Sequence, residues 1–271
     1  RLHRALQLQL GEEPTANLIR ASLASSAKYV ERDWLDAAVP VGFSGTKKQK
    51  QEWRLRLSGY GKVDDTTLFT GINHVTLFTE EALDLRQIHL YKIPVPSEFL
   101  KLNTAKRIAI GFAYNPPTRL SRKDYIANSL WFEIFRRIDV ETLLNYKGKK
   151  EKTDEIAAEE IMDNFSKQYG AKGFKPGYTE VRNSTLQQRV WERGAKGGSD
   201  LLWEENDPFI HILVTGKTKF KHPAEMEPQP YALAITFSYD SEADIQLRQK
   251  LSEQVKTKQR EQVRTRTQIH V

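Results

Sequence analysis

The chain has 271 residues, of which 39% are hydrophobic and 27 are aromatic (12 Phe, 10 Tyr and 5 Trp). This composition supports a packed core in one or two domains and excludes global disorder. The absence of cysteine excludes disulfides, thiolate metal sites and a Cys nucleophile. The net charge of +7 comes from Lys and Arg mixed with acids, which favours a solvated surface over a nucleic-acid partner.

No apolar run approaches the roughly 20 residues needed to span a bilayer, so we expect no membrane partner. The chain starts at Arg1, without an initiator Met or a signal-peptide core. From this we expect that the natural polypeptide begins upstream of Arg1. The lack of cysteine and of a signal peptide favours a cytoplasmic location.

The first element is predicted to be a short helix. Leu2, Leu6 and Leu10 recur every four residues on one helical face, and they predict a buried stripe. Gly11 and then Pro14 follow in the usual order at a helix end.

A second helix is predicted from Ala16 to about Tyr29, capped by Thr15. Its apolar stripe is predicted to contain Leu18 or Ile19, Leu23 and Ala27. The other faces carry small residues, which predicts close approach to a neighbouring element. These small residues are Ala21, Ser22, Ala24, Ser25 and Ser26.

Residues 31–58 are predicted to be irregular, because Pro40, Gly42 and Gly45 favour turns. The basic residues that follow favour an exposed loop; they are Lys47, Lys48 and Lys50. The stretch from Gly59 to Asp64, with Tyr60 between two glycines, predicts a tight turn that leads into a short element.

From His74 onward the pattern changes to β-branched and aromatic residues. Seven strands are predicted: 74–81, 87–95, 107–114, 130–136, 185–191, 209–215 and 231–239. They predict an antiparallel β-sandwich of jelly-roll type, with one buried and one solvent-facing side on each sheet. A polar helix from Ser241 to about Lys258 and a final strand from Val263 to Val271 complete the pattern. A helical insertion is predicted at about 147–177.

The opening elements resemble the C-terminal end of a subtilisin-like (S8) serine peptidase domain. The resemblance rests on a helix, a Pro turn, the capped helix with Leu18–Leu23 and its small-residue end, and the Gly59-Tyr60-Gly61 turn, followed by Asp64–Thr70. The later strands resemble the C-terminal domain of large bacterial subtilases, above all in Arg107–Pro117, Ser129–Glu133 and Thr185–Trp191.

This resemblance implies an α+β fold in which residues 1–75 are the terminal helices of a subtilisin-like α/β domain. Residues 76–271 would then form the β-sandwich domain. The family's catalytic Asp, His and Ser all precede the helix that begins this chain. The resemblance therefore implies a parent serine endopeptidase with a peptide or protein substrate. The upstream peptidase segment is then the expected partner of this chain, which itself has no catalytic, cofactor-binding or metal-binding residue.

Two serines have neighbours that partly match those of a serine nucleophile. Ser44 lies within Gly42–Thr46 and Ser199 within Gly198–Asp200, but neither opens a small-residue helix as a serine peptidase requires. We interpret both segments as turns.

The six histidines include no helical metal pair. His74 and His89 could meet across a hairpin, since both lie in predicted strands, but structural roles are favoured. The acidic run Glu204–Asp207 lacks the spacing of an EF-hand and is interpreted as a turn. A binding surface could be formed by Trp53, Trp131, Trp191 and Trp203. Trp131 and Trp191 lie within predicted strands and are expected in the core, whereas Trp34 and Trp53 are more open to an interface role.

The alternative to the peptidase hypothesis is a non-enzymatic β-sandwich module that binds another protein. The opening helix discriminates between the two. Burial of Leu2, Leu6 and Leu10 by upstream chain would favour the peptidase hypothesis, whereas packing onto the sandwich would favour the module.

Overall fold

The protein is described here from a computed structural model. The described residues are 2–28, 46–64, 73–85, 87–118, 126–135, 170, 173–176, 181–194, 209–218, 227–240, 246, 247, 249, 251, 269 and 270. The helices are α1 (Leu2–Leu10), α2 (Ala16–Ser26), α3 (Lys47–Ser58) and α4 (Ser97–Lys101). The first strands are β1 (Ala27–Lys28), β2 (Lys62–Val63), β3 (His74–Leu83), β4 (Gln87–Pro94) and β5 (Lys106–Tyr114). The others are β6 (Asn128–Phe135), β7 (Leu186–Arg193), β8 (Phe209–Thr218), β9 (Gln229–Tyr239) and β10 (Ile269–His270).

Two four-stranded antiparallel sheets form a sandwich. One sheet has the order β3-β9-β5-β7 and is named the helix-side sheet; the other has the order β10-β4-β8-β6 and is named the second sheet. Successive strands cross from one sheet to the other, as in jelly rolls. The predicted β-sandwich is therefore confirmed, and each of its seven predicted strands is present within a few residues of its expected bounds.

The core lies between the sheets and follows the two-residue period of the strands. In β5 it takes Ile108, Ile110 and Phe112, and in β9 it takes Leu233 and Ile235. The second sheet contributes alternate residues of three strands, among them Phe132, Ile134, Ile212 and Val214.

The helix-side sheet does not have the solvent-facing side that its sequence pattern predicts. All nine residues of β5 are buried, including those that point away from the sandwich core. The reason is that α2 packs across β5 and β9 on the outer face of this sheet. The prediction of one wet face is wrong here, because a helix distant in sequence supplies a third layer.

The helix α2 is shorter than predicted, and its buried face matches the predicted stripe only in part. It ends at Ser26, and Ala27 continues directly into β1, which pairs antiparallel with β2. Its buried face comprises Leu18 and the small residues, whereas Leu23 of the predicted stripe is only half-buried. The prediction that small residues permit close approach is confirmed. Of the predicted stripe, Leu18 and Ala27 are buried, and only Leu23 is not fully covered.

The segment predicted as an exposed basic loop contains the twelve-residue helix α3. Thr46 and Gln49 form a capping box: the Thr46 N–H donates to Gln49 Oε1 at 2.8 Å, and the Gln49 N–H donates to Thr46 Oγ1. The signal for this helix is present in the sequence as Thr-x-x-Gln followed by strong helix formers, with Gly59 after its end. The loop prediction for Lys47–Ser58 is wrong.

The predicted C-terminal helix is supported at Leu247, Gln249 and Leu251, which are helical. Leu247 and Leu251 are buried in the sandwich core. This mostly polar segment therefore contacts the core through two leucines. The insertion predicted at 147–177 lies outside the described residues, apart from Gly170 and Gly173–Pro176. Among the helices that the structure describes, none combines the length and apolar character that a membrane crossing requires.

Candidate functional site

The outer face of the helix-side sheet carries the opening helices, and we name this contact the helix–sheet junction. Leu6 and Leu18 are buried there together with Ala21. From the sheet, Ala113, Ala232 and Ala234 complete the cluster, and Leu2 and Leu10 pack against its margin. Because the sheet residues are alanines, the helix backbone can lie close to the strands.

Gly111 is the point of closest approach in this junction. A β-carbon at this position would overlap the carbonyl oxygen of Ala21 and lie 2.8 Å from the backbone nitrogen of Ser25. Both atoms belong to the α2 backbone, which cannot move aside as a flexible side chain could. Only glycine at position 111 allows α2 to sit at this depth.

Two sheet side chains bind the C-terminal end of α2. Arg107, which is 6% exposed, donates to the carbonyl oxygens of Ser25 at 3.1 Å and Ala27 at 2.7 Å. Gln188 donates to the carbonyl of Ala27 at 2.8 Å and also to that of Ala24. The last carbonyls of a helix have no intrahelical partner and carry partial negative charge, so a guanidinium suits them. These contacts give side-chain donors to carbonyl groups at the end of α2 and the start of β1.

Arg107 is held in place by Glu192, whose Oε1 accepts from its Nε at 2.9 Å. Burial lowers the pKa of the Arg107 guanidinium, while the charge of Glu192 opposes that shift. Glu192 is well exposed, so the direct ion pair is only part of the stabilisation. The two carbonyl contacts inside the junction matter more.

The N-terminal half of α2 is bound by two further contacts. Arg20 donates to the carbonyl of Tyr114 at 3.2 Å and to Thr185 Oγ1 at 3.0 Å. Thr15, which caps the helix by accepting from the Leu18 N–H at 3.2 Å, also donates to Glu80 of β3. The helix is thus attached at both ends to strands that lie far from it in the sequence.

The Gly59-Tyr60-Gly61 turn is the third part of the junction. Both glycines have positive φ, 59° and 92°, which L side chains rarely adopt. Tyr60 between them donates its hydroxyl to the carbonyl of Leu186 at 2.7 Å. Burial raises the pKa of Tyr60 to about 12.

Beside this turn, the short β1–β2 pair carries a charged group. Lys28 Nζ lies 2.6 Å from Asp64 Oδ2, and the Asp64 N–H donates to the Ser26 carbonyl at 3.3 Å. His74 at the start of β3 lies in the field of both charges. Burial lowers the pKa of His74, with Asp64 acting to raise it and Lys28 to lower it.

A second set of polar side chains connects β7, at the edge of the helix-side sheet, with β6, at the edge of the second sheet. Arg189 and Glu133 form an ion pair whose side chains are only 4% and 3% exposed. Arg189 also donates to the Pro176 carbonyl at 3.2 Å, and Glu133 accepts from the Ile134 N–H at 2.9 Å. Gln187 donates to the Leu130 carbonyl at 2.7 Å. Gln187 of β7 thereby binds a backbone carbonyl of β6, and Arg189 of β7 pairs with a β6 side chain.

A third polar cluster lies inside the sandwich. His89 Nδ1 is 2.7 Å from the Tyr231 hydroxyl, which also contacts the hydroxyl of Tyr91. Burial raises the pKa of Tyr231 far above its usual range, and the neighbouring Tyr91 and Glu81 add to the shift. A hydroxyl so resistant to ionisation is a neutral structural donor and does not act as a base at neutral pH.

The predicted site residues fall in different places. Trp131 and Trp191 are buried, as expected, at 3% and 2% exposure. His74 and His89 do not meet: β3 and β4 lie in different sheets, with His74 on the helix side and His89 in the core. Trp53 is half-buried. Ser44, Ser199, Glu204–Asp207, Trp34 and Trp203 lie outside the described residues. Within the described part of the chain, no group of three or more His, Asp or Glu side chains could hold a metal ion.

The strand pattern does not predict that Gly111, Arg107 and Gln188 contact a helix. Each lies in a strand whose alternation was clear, and a polar or small residue on the non-core face was interpreted as solvent-facing. The available signal was the combination of a small-residue helix with a run of Ala and Gly on one strand face, since such surfaces pack closely together.

No family model matches the chain. The chain is 25% identical over 246 residues to the uncharacterized protein y4bN of Sinorhizobium fredii. The alignment covers 89% of this chain and 51% of that protein. The chain therefore spans about half the length of this curated relative.

Among solved structures, the chain is similar to Tomato aspermy virus, with 12% identity and a TM-score of 0.29 over 73% of this chain and 97% of the other. It is also similar to the coat protein of Tobacco streak virus, with 11% identity and a TM-score of 0.22 over 65% and 92%. Both TM-scores are too low to support an argument about fold or function.

Proposed function

We propose that this chain is the non-catalytic C-terminal part of a larger protein, and that the larger protein is a subtilisin-like serine endopeptidase. In this proposal residues 1–75 end the peptidase domain, and residues 76–271 form its accessory β-sandwich. The upstream segment would hold the Asp, His and Ser and would hydrolyse peptide bonds through an acyl-enzyme with an oxyanion hole. The helix–sheet junction would connect the two parts.

The observation that carries this proposal is the ordered set of opening elements. The helix, the Pro turn, the Thr15-capped helix and the Gly59-Tyr60-Gly61 turn occur in the order that the resemblance requires. The length of the S. fredii relative, about twice the aligned part, is compatible with an upstream catalytic segment.

A second function, a protein-binding β-sandwich module without a peptidase, is favoured by one specific observation. Leu6 is buried at 5% exposure in the cluster that includes Ala113, Ala232 and Ala234 of the sandwich. The opening helices thus pack onto the sandwich, which is the arrangement expected of a module. In a peptidase the same α2 face would be expected against an upstream parallel sheet.

The two functions are separated by isolating the native polypeptide with an antibody against the sandwich and determining its intact mass and N-terminal sequence. The peptidase proposal expects a longer chain, or a bound companion, that contains Asp, His and Gly-Thr-Ser. That species should react covalently with a fluorophosphonate probe, and Ser→Ala at the Gly-Thr-Ser motif should abolish the labelling.

A native polypeptide that lacks these motifs and has no bound companion would overturn the peptidase proposal and leave the interaction module. A longer chain that contains the motifs but resists the probe, while a known subtilase in the same sample is labelled, would also count against it.

A further inference from the structure

We propose that Glu81, His89, Tyr91 and Tyr231 form a binding site for a ferric ion inside one end of the sandwich. We name these four residues the tyrosine cluster. This inference does not depend on the proposed peptidase function. It rests on which atoms meet in the cluster, on the distances between them, and on the charge that the cluster carries once its hydroxyls lose their protons.

Three strands from both sheets bring the tyrosine cluster together. Tyr231 of β9 belongs to the sandwich core, and Glu81 of β3 lies directly opposite it in the β3–β9 register. Directly opposed residues share one face of a sheet, with Cβ atoms about 4.5–5.5 Å apart, so Glu81 is also on the core side. His89 and Tyr91 lie on one face of β4 and both meet Tyr231 from the second sheet. The sheets thereby hold the four side chains in place.

The donor atoms of the cluster lie at the spacing of neighbouring ligands around one metal ion. His89 Nδ1 is 2.7 Å from the Tyr231 hydroxyl, which also contacts the hydroxyl of Tyr91. Metal ions of this size bind nitrogen and oxygen at about 2.0–2.2 Å, so donors at right angles around one ion lie about 3 Å apart. The Glu81 carboxylate is close enough for its charge to act on Tyr231. A small outward movement of each side chain would admit an ion between them.

The chemistry of these ligands selects a trivalent ion. The phenolates of Tyr91 and Tyr231 and the carboxylate of Glu81 each contribute one negative charge, and a ferric ion cancels all three. Such cancellation is needed in an apolar core, where a divalent ion would leave an uncompensated charge. Tyrosinate is an established iron ligand in proteins. The cluster contains only one His and one acid, so motifs based on His and acidic spacing do not reveal it.

An ion can reach the cluster from solvent, because only Tyr231 is fully buried, at 1% exposure, and the other three residues are half-buried. Binding would break two phenol O–H bonds, form two Fe–O bonds and release two protons to the solvent, without a change in oxidation state. The Tyr231 hydroxyl resists ionisation when it is surrounded only by protein. A direct bond to a trivalent cation would offset that resistance, because a bound ion is the largest charge in its site.

The test uses the whole chain, incubated in air with ferric nitrilotriacetate and then separated from unbound iron by gel filtration. We expect one ferric ion per chain by elemental mass spectrometry, together with a visible phenolate-to-iron charge-transfer band and tyrosinate modes in resonance Raman spectra. Tyr91→Phe and Tyr231→Phe each remove one phenolate. Each should weaken iron binding at least about a hundredfold, since changes at groups that only orient a ligand already cost about 10–100-fold.

Tyr239→Phe is the matched control. It is the same substitution in the same strand and the same core, but it lies about 26 Å from Tyr231 along β9. It should bind iron with the affinity and the visible band of wild-type protein. Circular dichroism checks that each variant is folded, and Tyr91→Phe, at a half-buried position, keeps the proposal testable if Tyr231→Phe fails to fold.

Wild-type protein that retains no iron would overturn the proposal. Iron retained without the visible band would do so too, because iron held only by surface carboxylates has no phenolate ligand. A band of equal intensity in wild type, Tyr91→Phe and Tyr231→Phe would place the iron outside the tyrosine cluster. Displacement of the iron by excess Zn²⁺ would contradict the selection of a trivalent ion by charge.

Discussion

Gly111 shows how one residue can decide whether two layers meet. It lies in the middle of a strand, where glycine is normally a weak choice because it adds no packing. Here its missing side chain is the reason for its presence, since the α2 backbone occupies the volume that a β-carbon would take.

The matching prediction concerns Gly111→Ala. Because the new methyl group would overlap the α2 backbone, we expect a loss of about 3 kcal/mol in the free energy of unfolding, measured by denaturant titration. Gly216→Ala is the control: its nearest neighbour is the side-chain Cδ2 of Leu85, which can turn away, so the cost should be about 1 kcal/mol. Equal losses would mean that α2 is not held at this depth.

The buried Glu133–Arg189 pair leads to a second prediction at the residue scale. Removing one partner leaves a buried charge uncompensated, so Arg189→Met should cost about 3–5 kcal/mol of unfolding free energy. The double change Glu133→Leu with Arg189→Met removes both charges and should cost less than Arg189→Met alone.

The double variant therefore separates two roles of this pair. If it is less stable than either single variant, the pair contributes net stability by itself. That result would contradict the interpretation that Glu133 and Arg189 only compensate for each other's buried charge.

At the scale of the element, the strands were predictable and their surroundings were not. The predicted strand at 107–114 begins one residue after the observed start at Lys106, because alternation of Ile108, Ile110 and Phe112 is a local signal. What covers the opposite face of β5 depends on α2, which is about 90 residues away. Local alternation carries no information about such a neighbour.

The helix α3 was missed for a different reason. Its lysines were interpreted as a loop because charge was given more weight than helix propensity. The helix has few apolar positions, and its start is encoded in the Thr46–Gln49 capping box. No functional site could be predicted from the pattern, since the junction contacts join strand residues to backbone carbonyls of α2.

The Gly59-Tyr60-Gly61 turn gives the prediction at this scale. Tyr60→Phe removes the hydroxyl that donates to the Leu186 carbonyl and should cost about 1 kcal/mol in unfolding free energy. Burial raises the pKa of Tyr60 to about 12, so in wild-type protein its ionisation should appear at higher pH than that of free tyrosine. Difference absorbance of the two proteins from neutral to alkaline pH should isolate this component. Identical alkaline titrations would contradict the assignment.

At the scale of the whole molecule, the described residues form three layers. The helices α1 and α2 pack on the helix-side sheet, and the helix-side sheet packs on the second sheet. The domain boundary near residue 75 stays a prediction. Contacts of Arg20, Tyr60, Arg107 and Gln188 cross it. The stability of the opening elements is therefore linked to that of the sandwich, and groups at the junction should influence global unfolding.

His74 provides the pH-dependent test of this linkage. Burial holds the pKa of His74 below its ordinary value of 6.5, with Asp64 opposing and Lys28 adding to the shift. The unfolded chain thus binds this proton more readily than the folded one. The stability that follows is present above the unfolded pKa and is lost as the pH falls through 6.5 toward the folded pKa.

We therefore expect the unfolding free energy of wild-type protein to decrease from about pH 7 to pH 5, and His74→Asn to reduce that slope. Denaturant unfolding at a series of pH values measures both proteins. A slope that is equal in wild type and His74→Asn would show that burial at the start of β3 does not lower the pKa of His74. The junction would then be a packing contact without a role in the pH dependence of the fold.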